Sequence, residues 1–481
     1  MKTPLIKRKI VCYPCLVASA ALFIFIALEV MLPCLSLDIF PEKYKAKDYK
    51  GRTRIEYWEK WTGFEGEAMQ AVVDKFNRSQ DKIWVKRQTI SRIDQRFLVS
   101  VAGKNPPDVA GLQAFMIPNF AAKGALLPLN ELARKSGIKK DDYLEVFWDM
   151  GCYNRTLYAL PTTPVTLALH YNKRLFRKAG LDPEKPPRTL LELDQMAEKL
   201  TQYDNQGNIK VIGFSPSYPG WYHWAWGYWF GGNLWDGKEQ ITIDDPENID
   251  AFLWIQNYAR KYGVEQLQTF QSGFGNFSSP QNPFLSELVA MEIQGVWMHN
   301  FIDKYNPGLE WGAAPFPARG SAVQNCSVAD CDDLVIPTDS RHPNEAFEFI
   351  AFVQKKENME LLCMGQRKFS PLRNVSPEFW ENHPHPYIKL FYDLAKSPHI
   401  KTQPMIPIFQ QIRDELTSAF SEVWLLEKTP EQALKTVQKR MERAWNKENT
   451  RRKKREELMN EKKATAAYSP GTGRRGGRRR N

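Results

Sequence analysis

"RTLYALPTTPVTLALHYNKRLFRKAGLDPEKPPRTLLELDQMAEKLT", residues 155–201, passes through four kinds of local structure in turn. Its Tyr-Ala-Leu-Pro start reads as a turn. "VTLALHYN", rich in β-branched and apolar residues, predicts a strand. A short helix follows and ends at Gly180, because glycine accepts the left-handed backbone that closes helices. After a Pro-rich loop, "TLLELDQMAEKLT" carries its leucines at helical spacing and predicts an amphipathic helix. Strand, helix, loop and helix in this order are the building unit of an α/β protein.

The same alternation continues toward the N-terminus. "RTRIEYWEKW" begins with strand-like alternation and "TGFEGEAMQAVVDKFNRSQ" turns helical, with Met69, Val72, Val73 and Phe76 on one face and Glu65 and Glu67 near its start. "KIWVKRQTI" predicts a second strand. "DQRFLVSVAGKNPPDVAGL" predicts a helix, a Pro break and a short buried strand, and "MIPNFAAKGALLPLNELARKSG" a helix closed by Gly124 and a second short one. This βαβα order argues for a parallel sheet with helices on its faces. Toward the C-terminus, "LVAMEIQGVWMHNFIDKYNPGLEWGAAPFP" predicts a strand, a tight Gly295, a helix and a return strand, and "HPNEAFEFIAFVQKKENMELLCMGQRKFSPLRN" a helix pair. The last long helix begins at "TPEQALKTVQKRMERAW", with Thr429 as N-cap, Pro430 at the first helical position, and Leu434, Val437, Met441 and Ala444 on one face. Beyond Asn446 that apolar stripe ends.

The net charge of +11 over 481 residues is concentrated at the two ends. Residues 451–481 carry twelve Lys/Arg against three Glu, and residues 1–37 four against one, leaving −1 for residues 38–450. A body this close to neutral argues against nucleic-acid binding, which needs a basic surface on the fold itself. "MKTPLIKRKI" is basic, and nineteen uncharged residues follow from Ile10 to Leu28. That pattern predicts a cytoplasmic tail over 1–9, a transmembrane anchor or uncleaved signal over 10–32, and a polar stalk over 33–51. Cys34 offers a lipoprotein alternative, disfavoured by Leu32 and Pro33 where small residues belong. Residues 447–481 read as a basic helical extension and a disordered tail. Among seven cysteines, only Cys326 and Cys331 in "CSVADC" suit a disulfide; the alternative is two thiols in a loop. No metal site and no cofactor are indicated.

"WYHWAWGYWFGGNLW", residues 221–235, holds five of the fifteen tryptophans. As a helix over 221–230 it would place Trp221, Trp224 and Tyr228 on one face and Tyr222, Trp226 and Trp229 on the other. A helix aromatic all round cannot lie on an ordinary surface. Core, the wall of a binding site, a membrane-interface belt and a partner surface all remain open for it.

Several ordered pieces resemble the extracellular solute-binding proteins of ABC importers, in the cluster that binds maltose, other sugars and glycerol phosphates. They are "IEYWEKWTGFEGEAMQAVVDKFNRSQ", "PPDVAGL" with "KGALLPLNEL", "LYALPTTPVTLALHYNKRLFRKAGLD", "VAMEIQGVWM" with "WGAAPFP", and "NEAFEFIAFV". The resemblance implies a two-lobed α/β periplasmic-binding-protein-like fold with a hinge and an interlobe cleft. Lobe one would comprise 52–163 and 308–370, and lobe two 164–307 and 371–446. It further implies capture of a sugar or glycerol-phosphate-like solute by lobe closure, delivery to ABC permease subunits, an extracytoplasmic location, and no catalytic residues. Carried onto this chain, the cleft would draw on Trp58, Trp61, Glu65, Gln113, Tyr158, Trp221, Trp224, Trp226, Trp297 and Arg373. One departure is "WEKW", which places Glu59 and Lys60 where the family often has a histidine. A membrane-anchored glycosyltransferase or glycosidase, with "DCDD" at 330–333 as an acidic cluster, and a sugar sensor built on the same module are the competing readings.

Overall fold

The computed structural model describes residues 49–467. The expected cytoplasmic tail, the 10–32 anchor, most of the stalk and the end of the C-terminal tail lie outside the described residues. Among the described residues no helix is long and apolar enough to cross a membrane. The chain divides at Arg52 into two units. Of the first, residues 49–52 are described, a turn in which the Arg52 N–H donates to the Tyr49 carbonyl at 3.0 Å.

The second unit, from Thr53, contains strands β1 (Thr53–Glu59), β2 (Ile83–Thr89), β3 (Val109–Gln113), β4 (Cys152–Tyr153), β5 (Thr156–Leu157) and β6 (Ala159–Asn172). They are followed by β7 (Gln202–Tyr203), β8 (Ile209–Phe214), β9 (Val289–Gly295), β10 (Trp311–Ala314), β11 (Ser327–Val335) and β12 (Ile400–Thr402). Helices that bear on the site are α1 (Gly63–Ser79), α2 (Pro246–Tyr262), α3 (Met298–Tyr305), α4 (Pro343–Val353), α5 (Lys356–Gln366), α6 (Phe409–Trp424) and α7 (Pro430–Ala467).

Strand order β2-β1-β3-β11-β6-β9-β8-β7 joins two lobes through one shared path. In the first lobe β1 pairs in parallel with β2 and β3, and in the second β8 pairs in parallel with β9. The strands between them are antiparallel: β11 to β3, β11 to β6, and β6 to β9. The expected parallel sheet is therefore a mixed one, because β6 leaves the first lobe and β11 returns to it. The predicted turn at Tyr158–Pro161 is also corrected, since β6 starts at Ala159 and stays buried along all fourteen residues. Pro161 fits inside it because of where it falls. Pro161 lies at a register shift against Asp333, where a missing N–H breaks no regular ladder. Residues Ala159–Thr166 of β6 pair with β11, and residues Leu167–Tyr171 pair with β9. Such a strand, half in each lobe, makes a hinge.

Several local expectations stand. Lys173–Lys178 is the short helix before Gly180, whose φ is +71°. Leu190–Leu200 is the amphipathic helix, capped by the Thr189 hydroxyl accepting from the Glu192 N–H at 3.1 Å. Thr429 caps α7 reciprocally: its hydroxyl accepts from the Gln432 N–H at 3.3 Å, and its own N–H donates to Gln432 Oε1 at 3.2 Å. Leu434, Val437, Met441 and Trp445 of α7 are buried in the second lobe, and the helix continues past that stripe to Ala467.

The tryptophan stretch folds as a 3-10 helix, His223–Phe230, rather than an α-helix from 221. Trp226 and Trp229 are almost wholly enclosed by Phe214, Trp254 and Phe316. Each buried indole removes roughly 200 Å² from water, about 5 kcal/mol at most before entropy is counted. Most of this stretch is core. Cys326 and Cys331 do not form the expected disulfide; both are free and buried. Cys326 immediately precedes β11 and Cys331 lies within it, so five residues of extended chain hold the sulfurs roughly 16 Å apart.

Candidate functional site

A cavity of about 400 Å³ opens between the lobes, on the edge of the crossing strands. Its floor is β11, where strand alternation turns Asp330 and Asp332 into the space while Asp333 is buried on the other side. Lys60 and Trp61 come from the short link between β1 and α1. The Lys60 ammonium pairs with Asp332, and the Trp61 indole N–H donates to the second oxygen of Asp332 at 3.2 Å. Burial works against the Lys60 charge, yet Asp332 and Glu59 hold its pKa above the ordinary lysine range.

Glu65, in the first turn of α1, pairs with Lys368 across 3.0 Å, and the same ammonium lies 5.7 Å from the Trp61 ring centre. Lys368 is only 3% exposed; burial opposes its charge, and Glu65 and Asp332 outweigh it. Asp330 behaves differently. Burial, then repulsion from Asp332, pushes its carboxyl up to about 6, while Gln403 Nε2 and the Cys331 N–H donate to it at 3.2 and 2.8 Å.

The second lobe supplies a wall of rings. Trp221 is half-buried, with Trp297 5.6 Å away at 38° and Phe277 edge-on at 4.2 Å. Trp297 reaches this place because residue 295 is glycine: a Cβ there would come within 2.2 Å of its ring. Trp224 meets Phe409 edge-on at 5.1 Å, and Phe409 meets Phe115 of the first lobe at 6.0 Å. Arg413, one turn further along α6, lies over Phe115 with its guanidinium carbon 5.4 Å from the ring centre.

Of the residues expected at the cleft, Trp61, Glu65, Gln113, Trp221, Trp224 and Trp297 line this cavity. Gln113 is brought there by its register pairing with Asp332. Trp58 and Tyr158 do not line it; both pack on the opposite side of the first-lobe sheet, against the cluster that contains Phe97 and Phe120. Trp226 belongs to the second-lobe core. Arg373 is exposed at a separate depression beside Lys355 and Lys356, its N–H donating to the Asp142 carbonyl at 2.8 Å.

Lys60, Asp330, Asp332, Lys368, Phe277 and Arg413 line the cavity without having been singled out as cleft residues. Period-two alternation in "DCDD" was a usable signal for Asp330 and Asp332. Nothing local marks Lys368 or Arg413. Among the described residues no group of three or more His, Cys, Asp or Glu is placed to hold a metal ion, and Asp330 and Asp332 are tied to Gln403 and Lys60.

Two α/β lobes on shared strands, with an aromatic and acidic cleft between them, define a ligand-capturing protein of the hinge-closing kind. The family model for bacterial extracellular solute-binding proteins matches residues 63–360. The sn-glycerol-3-phosphate-binding periplasmic protein UgpB of Pectobacterium atrosepticum is 25% identical over 417 residues, covering 81% of this chain and 90% of that protein. A solved structure titled CpMnBP1 with mannobiose bound has a TM-score of 0.72 at 29% identity, covering 80% of this chain and 99% of the other. UgpB from Mycobacterium tuberculosis in complex with glycerophosphocholine shares the fold, with a TM-score of 0.68 at 20% identity, covering 83% and 100%. This chain belongs to the bacterial extracellular solute-binding proteins, and its folded part is extracytoplasmic.

Proposed function

We propose that the cleft captures a short saccharide by lobe closure and presents it to the permease of an ABC importer, with no bond made or broken. The observation that carries this reading is the pairing of ring faces with carboxylates in one cavity. Trp221 and Trp297 offer surfaces for the C–H faces of a sugar, and Asp330, Asp332 and Glu65 offer acceptors for its hydroxyls. A phosphate ester fits less well, since two of the three cavity cations are already paired with carboxylates. The mannobiose bound by the CpMnBP1 relative supports the same class.

The lobes in this reading are 52–163 with 308–370 and 164–307 with 371–446, except that β10, which pairs with the second half of β6, moves with the second lobe. The 10–32 segment tethers the protein, as its nineteen uncharged residues suggest; sedimentation with membranes after alkaline carbonate washing tests that. Isothermal titration of the full chain in detergent against neutral and acidic disaccharides and sn-glycerol 3-phosphate tests the ligand class. Saccharide binding with a rise in melting temperature is expected, and no heat with any saccharide overturns the reading.

A further inference from the structure

We propose that the solute is an acidic saccharide, whose carboxylate is received by the Arg413 guanidinium. The inference rests on the saccharide reading and sharpens it. Among the described residues, each charged side chain lining the cavity except Arg413 has a salt-bridge or hydrogen-bond partner. Lys60 is paired with Asp332, Lys368 with Glu65, and Asp330 accepts from Gln403 and the Cys331 N–H. The Arg413 guanidinium lies over the Phe115 ring and acts electrostatically on the Tyr222 hydroxyl, but among the described residues it has no salt bridge and no side-chain hydrogen bond.

That contact leaves the guanidinium ready for an anion. A cation over a ring keeps its N–H donors available, and a guanidinium presents them in the fork that matches a planar carboxylate. The arginine belongs to the second lobe and the phenylalanine to the first, so closure over a guest takes this charge further from water. A neutral sugar would leave it without a counter-charge there, which is costly; a carboxylate supplies one with two charge-assisted hydrogen bonds. The rest of the cavity limits how much negative charge fits. Asp330, Asp332 and Glu65 share the space, so a monoanion carrying many hydroxyls suits it better than a dianionic phosphate.

The test is calorimetric titration of the full-length protein with matched pairs of neutral and uronate disaccharides in the gluco, manno and galacto series, with sn-glycerol 3-phosphate alongside. In the series that binds, the uronate is expected to bind about tenfold more tightly than its neutral partner, roughly one charge-assisted contact. That preference should shrink as salt rises, vanish in R413Q and survive in part in R413K. Thermal melts of both variants check folding, and the salt dependence of the wild-type protein stands as an independent measurement if R413Q is unstable. Neutral partners binding as tightly as uronates in every series overturn the proposal and leave the saccharide reading intact. Glycerol phosphate binding more tightly than every saccharide, or no saccharide binding at all, overturns both.

Discussion

The Lys368 ammonium lies 3.0 Å from the Glu65 carboxylate, although 303 positions separate them in the chain. Lys368 is the more deeply buried partner, and that asymmetry decides how the pair responds to mutation. Glu65→Ala leaves a nearly inaccessible ammonium with less compensation and is expected to cost about 2 kcal/mol, whereas Lys368→Met, which leaves a carboxylate that water still reaches, costs less. Chemical denaturation of the two variants checks the order.

The aromatic residues separate into two groups. Trp221→Ala and Trp297→Ala are expected to weaken solute binding by about tenfold or more with little change in stability. Trp226→Ala, in the enclosed cluster with Trp229 and Phe316, should instead destabilise the fold by about 3–5 kcal/mol. Paired titration and melting data for the three variants distinguish a ring that touches solute from one that supports the lobe.

Gly295 is expected to tolerate no side chain without moving Trp297. In Gly295→Ala the new Cβ meets the indole at 2.2 Å, and the ring must swing into the cavity or out of it. Lower affinity, with altered tryptophan fluorescence in the unliganded protein, is the expected outcome.

His170 should contribute an acid-sensitive term to stability. It stacks on Trp311 with ring centres 5.3 Å apart, and burial, aided by His299, holds its pKa down to about 3. An unfolded histidine titrates near 6.5. As pH falls below that value the unfolded chain takes up a proton that the folded site refuses, so stability is lost on acidification, about 3 kcal/mol by pH 4 from this residue. The His170→Phe variant should therefore show a shallower fall in melting temperature between pH 6.5 and 4 than the wild-type protein.

Cys326 and Cys331 are expected to react as two free thiols once the protein is unfolded. Mass spectrometry after alkylation under denaturing, non-reducing conditions should show both labelled, and reductant should leave the melting temperature unchanged.

The sequence resolved elements better than it resolved side-chain destinations. Helices at Leu190–Leu200 and Pro430–Ala467 were legible because apolar spacing and caps are local properties. The turn read before Val165 was wrong for a reason outside the local window: β11 supplies a bulged partner that accommodates Pro161 within a strand. Among the candidate cleft residues, Trp61 and Trp58 differ by only three positions. One donates to Asp332 on the cleft floor and the other packs behind the sheet.

From the chain alone came the alternation of strands and helices, the family resemblance, the neutral body between basic ends, and an aromatic stretch that had to be covered. Tertiary structure alone decided which rings are walls of the cavity and which are core, that two cysteines stay apart, and that Arg413 lines the cleft with no salt bridge among the described residues. The reason is range. Periodicity acts over a few residues, while the contact of Trp61 with Asp332 spans 271 positions and exists only once both crossing strands are in place.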